Sequence, residues 1–394
     1  MITTNVTKRR KVIRTAAIPA SLYGLLKGQL RFLNNTYEIV GVASDDSLMK
    51  DLEKREGIRT IGVNIERNIS PVKDLISVYK LYRLFLEEKP FMVHSITPKA
   101  GLLSMTAAYF ARVPKRAHTF TGLIFPTQKG IMKRLLIFFD KLICLFATNI
   151  YPEGNGVKND LINYGITNKK LKVLANGNVN GVDLIKFNPS NYTEKDNSIL
   201  KNNLKLNSED IIFIFIGRLV NDKGINELIQ AFKKLLESHD NITLLLVGSD
   251  YGEVDILPKS TWETIKSQTK IKCLGQQADV RPYLAISDVF VFPSYREGFP
   301  NVVLEAGAMG LPSIVTDING SNEIIKHEEN GLIVPSKDVS ELFEAMIKMV
   351  SEPGLIKKLS IKSRLNIEKN YERSFVWKEL LKEYQQIESQ LIKD

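Results

Sequence analysis

The chain encodes an α/β protein with two parallel-sheet domains, and three observations carry that reading. Its 394 residues exceed one typical hydrophobic core and suggest two. Short apolar runs of strand length alternate with helical segments, a pattern that implies parallel sheets covered by helices on both faces. The alternation then restarts after a polar stretch, Asn188 to Ser198, which contains Pro189 and reads as a linker. A hydrophobic fraction of 44% with 25% charged residues is that of a globular chain, which excludes a disordered or fibrous one.

Val12 to Ala17 is the first strand. The helix after it, Ala20 to Leu33, puts Leu22, Leu25, Leu26, Leu30 and Leu33 on one side, a helical period. Tyr37 to Ala43 and Arg59 to Val63 follow as strands. Ser70 as N-cap and Pro71 in the first turn start a helix that runs to Glu88. Phe91 to Thr97 is the next strand. It opens on Pro98-Lys-Ala-Gly101 and a helix to Ala111, before a strand and turn over Lys115 to Gly122. Ligands of such sheets bind beyond the carboxyl ends of the strands, where His94, Thr97, Lys99, His118 and Thr121 fall.

Residues 129–148 form a helix in which Lys129, Lys133, Arg134 and Lys141 are set among Leu135, Phe138, Phe139 and Leu142. Such a helix either lies in a membrane interface or is a core helix with a charged end. Leu171 to Gly177 closes the first domain. The second domain has strands at Ile211–Gly217, Ile242–Gly248, Ile271–Leu274, Val289–Phe292, Ser313–Thr316 and Leu332–Val334. Ser374 to Leu391 is a last long helix containing Trp377 and Tyr384.

The two cysteines, Cys144 and Cys273, are far apart among apolar neighbours, so neither a disulfide framework nor a zinc spacing exists and a reducing compartment is expected. Met1 to Lys11 has no apolar core behind its charges and does not read as a secretory signal. The longest apolar tract, Leu135 to Ala147, is interrupted by Asp140 and Lys141 and is too short to span a bilayer. The net charge is +10 and unevenly spread. Residues 1–180 hold 28 Lys/Arg against 13 Asp/Glu, a balance of +15, and the rest hold 26 against 31, a balance of −5. The basic half points to an anionic surface partner. Nucleic acid fits poorly, for no aromatic–basic interleaving or recognition motif is present. An anionic membrane face, or a lipid diphosphate in it, fits better.

The chemistry concentrates in Ser294-Tyr-Arg-Glu-Gly-Phe-Pro-Asn-Val-Val-Leu-Glu305. It follows a buried strand and runs into a helix, with Pro300 suited to the helix start. A helix N-terminus aims N–H groups and partial positive charge at a phosphate. Glu297 and Glu305, seven residues between them, suit hydroxyls instead, because carboxylates repel phosphate. A nucleotide-sugar supplies both partners. Arg218, Lys223 and the glycines Gly217 and Gly224 form a second cluster in Ile214-Phe-Ile-Gly-Arg-Leu-Val-Asn-Asp-Lys-Gly224, and Asn180-Gly-Val-Asp183 with Phe187 forms a third. Asp45-Asp46 follows a strand far from these motifs and reads as a turn. His239 and His327 lie in surface-like stretches.

These three motifs, in this order and separation, resemble those of retaining glycosyltransferases of family 4. The resemblance implies the GT-B fold, with two Rossmann-like domains whose parallel sheets face a cleft and a C-terminal helix that crosses back to the first domain. Residues 1–187 would form the acceptor-binding domain, 188–373 the nucleotide-sugar domain and 374–394 the returning helix. It implies metal-independent catalysis with no cofactor, a UDP-sugar being the donor substrate. Arg218 and Lys223 would hold the departing diphosphate, Glu297 the sugar hydroxyls near the reacting carbon and Glu305 the ribose. The N–H groups of Gly298, Phe299, Asn301 and Val302 would meet sugar and diphosphate. The base would lie against Gly275 and Gln276 through backbone contacts, which favours uracil over guanine.

Where many members have a glycine-rich first turn, this chain has Ile18-Pro-Ala-Ser-Leu22, so no contact is assigned to that loop. Many members also place a histidine directly before a glycine at the end of the fifth strand. Here Thr121 precedes Gly122, and His118 sits three residues earlier. His118 is therefore either a catalytic or sugar-positioning group or a buried structural one, and His94 has the same alternatives. Thr97-Pro-Lys-Ala-Gly101 and Thr121-Gly-Leu resemble a subgroup of bacterial surface-polysaccharide and lipid-linked-oligosaccharide transferases. His94, Thr97, Lys99 and Thr121 would thus face the acceptor. The expectation is transfer of an N-acetylhexosamine or hexose to a lipid-linked saccharide by a cytoplasmic enzyme peripheral on the inner membrane face. A UDP-sugar epimerase of the same fold and a non-catalytic nucleotide-sugar-binding regulator are the alternatives.

Overall fold

The structure, a computed structural model, describes residues 9–66, 69–250 and 255–391. The start of the chain, through residue 8, where a secretory signal was discounted, lies outside the described residues. The chain divides into two compact units, Met1–Asn180 with Ser374–Asp394, and Gly181–Arg373.

Unit 1 contains β1 (Lys11–Thr15), α1 (Pro19–Leu25), α2 (Gln29–Asn34), β2 (Glu38–Ala43), α3 (Ser47–Glu56), β3 (Arg59–Gly62), α4 (Pro71–Glu88) and β4 (Met92–Ile96). It continues with α5 (Pro98–Phe110), β5 (Lys115–Phe120), α6 (Gly130–Phe146), β6 (Asn149–Pro152) and α7 (Asn155–Asn163). The strands form one parallel sheet in the order β3-β2-β1-β4-β5-β6. Alternation along each strand feeds two cores. Ile13, Val40 and Val93 face one, while their neighbours Val12, Ile39 and Met92 face the other. With both faces covered, β4 is buried at every position.

The single helix expected over Ala20–Leu33 is two, broken at Gly28. Gly28 takes φ +82, and a Cβ there would fall 2.7 Å from the Trp377 ring, so a tryptophan distant in sequence decides the break. Ser70 makes no side-chain cap for α4; its own N–H donates to Asp74 Oδ2 at 3.1 Å instead. Asp46 is the N-cap of α3.

Unit 2 contains α8 (Glu194–Asn203), β7 (Ile211–Ile216), α9 (Ile225–Leu236), β8 (Ile242–Val247), α10 (Lys259–Ser267), β9 (Ile271–Gly275), α11 (Arg281–Ala285) and β10 (Val289–Phe292). It continues with α12 (Asn301–Ala308), β11 (Ser313–Thr316), α13 (Ser321–Ile324), β12 (Gly331–Val334), α14 (Val339–Ser351) and α15 (Leu355–Asn370). Its sheet is also parallel, in the order β12-β11-β10-β7-β8-β9. Asn188–Ser198, read as a linker from its polarity, lies inside this unit. There it forms a 3-10 turn and the start of α8, closed by a capping box between Thr193 and Asp196.

The chain passes between units at Asn180–Gly181, earlier than the boundary at 187, and returns at Arg373–Ser374. Asn180 accepts from Trp377 Nε1 at 2.7 Å. Asp183 pairs with Arg373 at 2.5 Å. The motif Asn180-Gly-Val-Asp183 thus fastens each crossing to its own unit. The last helix, α16 (Arg373–Leu391), lies in unit 1 from Ser374 onward, and there Tyr384 and Glu383 bond to β1, β4 and β6. Among the described residues no helix is long and apolar enough to cross a membrane.

Candidate active site

In unit 2 the chain order reverses between β7 and β10, neighbours in the sheet whose sequence successors lie on opposite sides. Such a switch point opens a crevice at the carboxyl ends of the strands, because the two connections leave in opposite directions. The loop after β7 carries Gly217, Arg218 and Lys223; the loop after β10 carries Ser294 to Pro300.

Backbone contact locks these loops together. Gly224, at φ +69, lies so close to the second loop that a Cβ would fall 2.1 Å from the Pro293 oxygen. Tyr295 N–H donates to the Asp222 oxygen at 2.8 Å. The Asp222 carboxylate meets Arg296 at 3.2 Å and Arg218 more loosely at 4.0 Å. Thr316 Oγ1 donates to the Ser294 oxygen from the end of β11.

Lys223 and Glu297 meet on this floor. Lys223 Nζ is 2.5 Å from Glu297 Oε1, and Ser294 Oγ donates to the same oxygen at 3.1 Å. Both side chains are largely buried. This is a charge-assisted bond between two partly desolvated ions, stronger than an exposed pair. Lys223 is therefore held by Glu297 before any ligand arrives, whereas Arg218, 48% exposed, keeps its guanidinium within reach of one.

Glu297 leads into α12. Pro300, at its N-cap, offers no side-chain cap to the first-turn amides. Phe299 turns inward, its ring 5.6 Å from that of Tyr371, which leaves its backbone to line the turn. Gly298 and Val302 are partly buried, Asn301 is exposed, and Glu305 sits partly buried a turn into the helix. Gly275 ends β9, the edge strand, with β8 between it and β7, and Gln276 follows it. The Gly275 oxygen accepts from Gly248 N–H at 2.9 Å, and Gln276 is exposed. Sequence reasoning passed over Asp222, Ser294, Arg296 and Thr316. Asp222 stands beside Lys223 and Ser294 opens the second motif, but polar residues next to a motif carry no signal of their own.

Unit 1 has its own switch point between β1 and β4. Thr97 follows β4 with φ +82, a conformation that costs a β-branched residue roughly 1–3 kcal/mol. Its Oγ1 accepts from Ala17 N–H at 3.3 Å and so ties the two loops. Lys99 pairs with Asp74 at 2.7 Å. Thr121 is partly buried after β5.

The histidines are elsewhere. His94 is buried, its Nδ1 2.6 Å from Tyr384 Oη and its Nε2 2.7 Å from Thr119 Oγ1. Burial, then the Arg14 charge, holds it well below the usual imidazole range. His118 is buried against Gly101, where a Cβ would fall 2.4 Å from its Cε1, and its Nδ1 is 2.8 Å from Ser95 Oγ. Burial lowers it to about 3. A ring so weakly basic is a poor proton carrier at neutral pH. Neither histidine, expected at the acceptor surface, presents a nitrogen there.

Residues 196–373 match the family described as glycosyl transferases group 1, and residues 17–151 match one described as glycosyl transferase 4-like. The chain is 31% identical over 374 residues to the capsular polysaccharide biosynthesis glycosyltransferase CapM of Staphylococcus aureus, covering 95% of this chain and 96% of that protein. It is 34% identical over 295 residues to the UDP-Gal:alpha-D-GlcNAc-diphosphoundecaprenol alpha-1,3-galactosyltransferase of Escherichia coli, covering 73% and 74%. Among solved structures, Anabaena Alr3699/HepE in complex with UDP superposes with a TM-score of 0.79 at 18% identity, over 96% of this chain and 100% of that one. At that identity the likeness speaks for the fold, which is GT-B.

Proposed function

Because the chain belongs to the group 1 glycosyl transferases, we propose that it moves a sugar from a UDP-sugar to a lipid-linked saccharide, retaining anomeric configuration and using no divalent ion. The observation that carries this reading is the Lys223–Glu297 pair: two residues 74 apart, brought to 2.5 Å at the carboxyl ends of adjacent strands. Arg218 and Lys223 supply the positive charge that a leaving diphosphate needs, and the first amides of α12 add to it. Glu297, anchored by Lys223 and Ser294, is a fixed acceptor for sugar hydroxyls. Glu305 takes the ribose hydroxyls, and the base lies toward the end of β9.

The donor is an N-acetylhexosamine or a hexose on UDP. The UDP and the lipid-linked acceptor draw support from the Escherichia coli relative, whose name carries both. Thr97, Lys99 and Thr121 line the acceptor side from unit 1, while His94 and His118 hold the strands beneath and take no part in chemistry. The enzyme works at the inner face of the cell membrane, attached through its basic unit.

The test is UDP release on adding membrane lipid extract to a panel of UDP-sugars, with mass spectrometry of the lipids. Acceptor-dependent UDP release with one donor, and a lipid heavier by that sugar, is the expected result. Conversion of the UDP-sugar without acceptor would instead make the protein an epimerase. Binding without turnover would make it a regulator.

A further inference from the structure

Arg14 carries a charge that the fold buries without neutralising. It lies on β1, 1% exposed, with β2 and β4 on either side. A guanidinium keeps its proton throughout the physiological range, so it cannot escape burial by becoming neutral. Its acceptors are Gln29 Oε1 at 3.3 Å and Tyr384 Oη at 3.0 Å, both uncharged, and its Nε is buried with no acceptor at all. Among the described residues no carboxylate pairs with it. The neighbouring imidazole of His94 supplies no counter-charge either, and the Arg14 charge is one reason it stays neutral. A buried ion with neither a counter-ion nor a full set of hydrogen bonds is costly.

The guanidinium borders a cavity of about 20 Å³. Val376 and Leu380 of α16 form one wall, and Thr119 of β5 and Glu153, just after β6, lie on the others. The space suits a single particle little larger than a water and is too small for sulfate or phosphate. We propose that it is a binding site for one chloride-sized anion, held by the Arg14 guanidinium where α16 closes on the sheet of unit 1. A water there would give Nε an acceptor but leave the charge unmatched. A halide does both, and its weak hydration suits the aliphatic wall. Since Arg14 also bonds Tyr384 of α16, the anion neutralises the charge at the joint that holds the last helix. Among the described residues Glu153 is the one carboxylate in the lining. It forms no ion pair with Arg14, and it weakens anion binding rather than replacing the anion. The site lies wholly in unit 1 and does not depend on the transfer reaction.

The experiment is thermal melting of the full chain as sodium gluconate is replaced by sodium chloride at constant ionic strength, with no nucleotide or lipid present. Each tenfold rise in chloride above its Kd should raise the melting temperature by roughly 2–5 °C. Chloride NMR on the folded protein should show line broadening that bromide competes away. Arg14→Gln should lose both effects. Should that variant not fold, Val376→Ile decides instead: it adds a methyl to the cavity wall and keeps Arg14, and it too should lose both. Glu153→Gln should bind chloride more tightly than wild type. Three results would overturn the proposal: no chloride-specific rise in wild type, an undiminished rise in Arg14→Gln or Val376→Ile, or a chloride effect that appears only in Glu153→Gln. The last would mean that Glu153 already balances Arg14. None of these outcomes bears on UDP release, whose failure would leave the anion site standing.

Discussion

Lys223 and Glu297 behave as one unit. Each was legible as a charged residue in a motif, but the bond between them was not, since nothing in a linear pattern says which charges meet after folding. The bond has a kinetic consequence. Lys223→Ala and Glu297→Ala should each lower kcat by about 10²–10³-fold, as the loss of a fixed transition-state charge does. The double variant should fall little further, because either change already destroys the pair. Steady-state UDP release on the three proteins checks this, and multiplying effects would contradict it. Asp140 shows burial acting on a single group. Its carboxyl is 8% exposed on the inner face of α6, and desolvation pushes it up from 3.8 to about 7. The folded state therefore holds this proton more tightly than the unfolded chain. The group destabilises the fold fully above pH 7, and the penalty fades as pH falls toward 4. Asp140→Asn should raise the melting temperature, with a gain on the order of 3 kcal/mol at pH 8 and a small one near pH 4.

Helix α12 and strands β7 and β10 were readable because their signals are local: an unbroken apolar run, a proline at the helix start, glycines where the backbone comes close. The break between α1 and α2 was not, because its cause is Trp377, on the far end of the chain. A five-leucine stripe looks continuous whether or not the backbone turns at Gly28. Gly28→Ala should therefore cost roughly 1–3 kcal/mol, from a strained φ and contact with the indole, and thermal melts measure it. A loss of a few tenths would mean that the turn relaxes. The polar stretch before β7 misled for a related reason. A capping box makes a helix start as polar as a linker, and only the Thr193–Asp196 spacing distinguishes them.

Over the whole molecule, chain order revealed the two parallel sheets, and the switch points in each account for where the motifs gather. The return of residues after 373 to unit 1 was expected from the resemblance and is what the fold shows; what the sequence concealed is which side chains make the join. The Arg14 guanidinium, 1% exposed, donates to Gln29 Oε1 at 3.3 Å and to Tyr384 Oη at 3.0 Å, and the same hydroxyl serves His94. Buried His94 looked functional from its place at a strand end, whereas its partners make it part of the frame. Tyr384→Phe strips both groups of that partner, so it should destabilise the protein by about 1–3 kcal/mol in chemical denaturation. Its effect on kcat of the folded enzyme should be small.

In the proposed reaction, unit 2 holds a diphosphate with its own cations and helix amides. Calorimetric titration of UDP in EDTA tests it most directly. Binding to wild type should survive the chelator and weaken at least about tenfold in Arg218→Ala, the loss expected for one charge-assisted contact. Binding that vanishes with EDTA, or that is equally tight in Arg218→Ala, would contradict it.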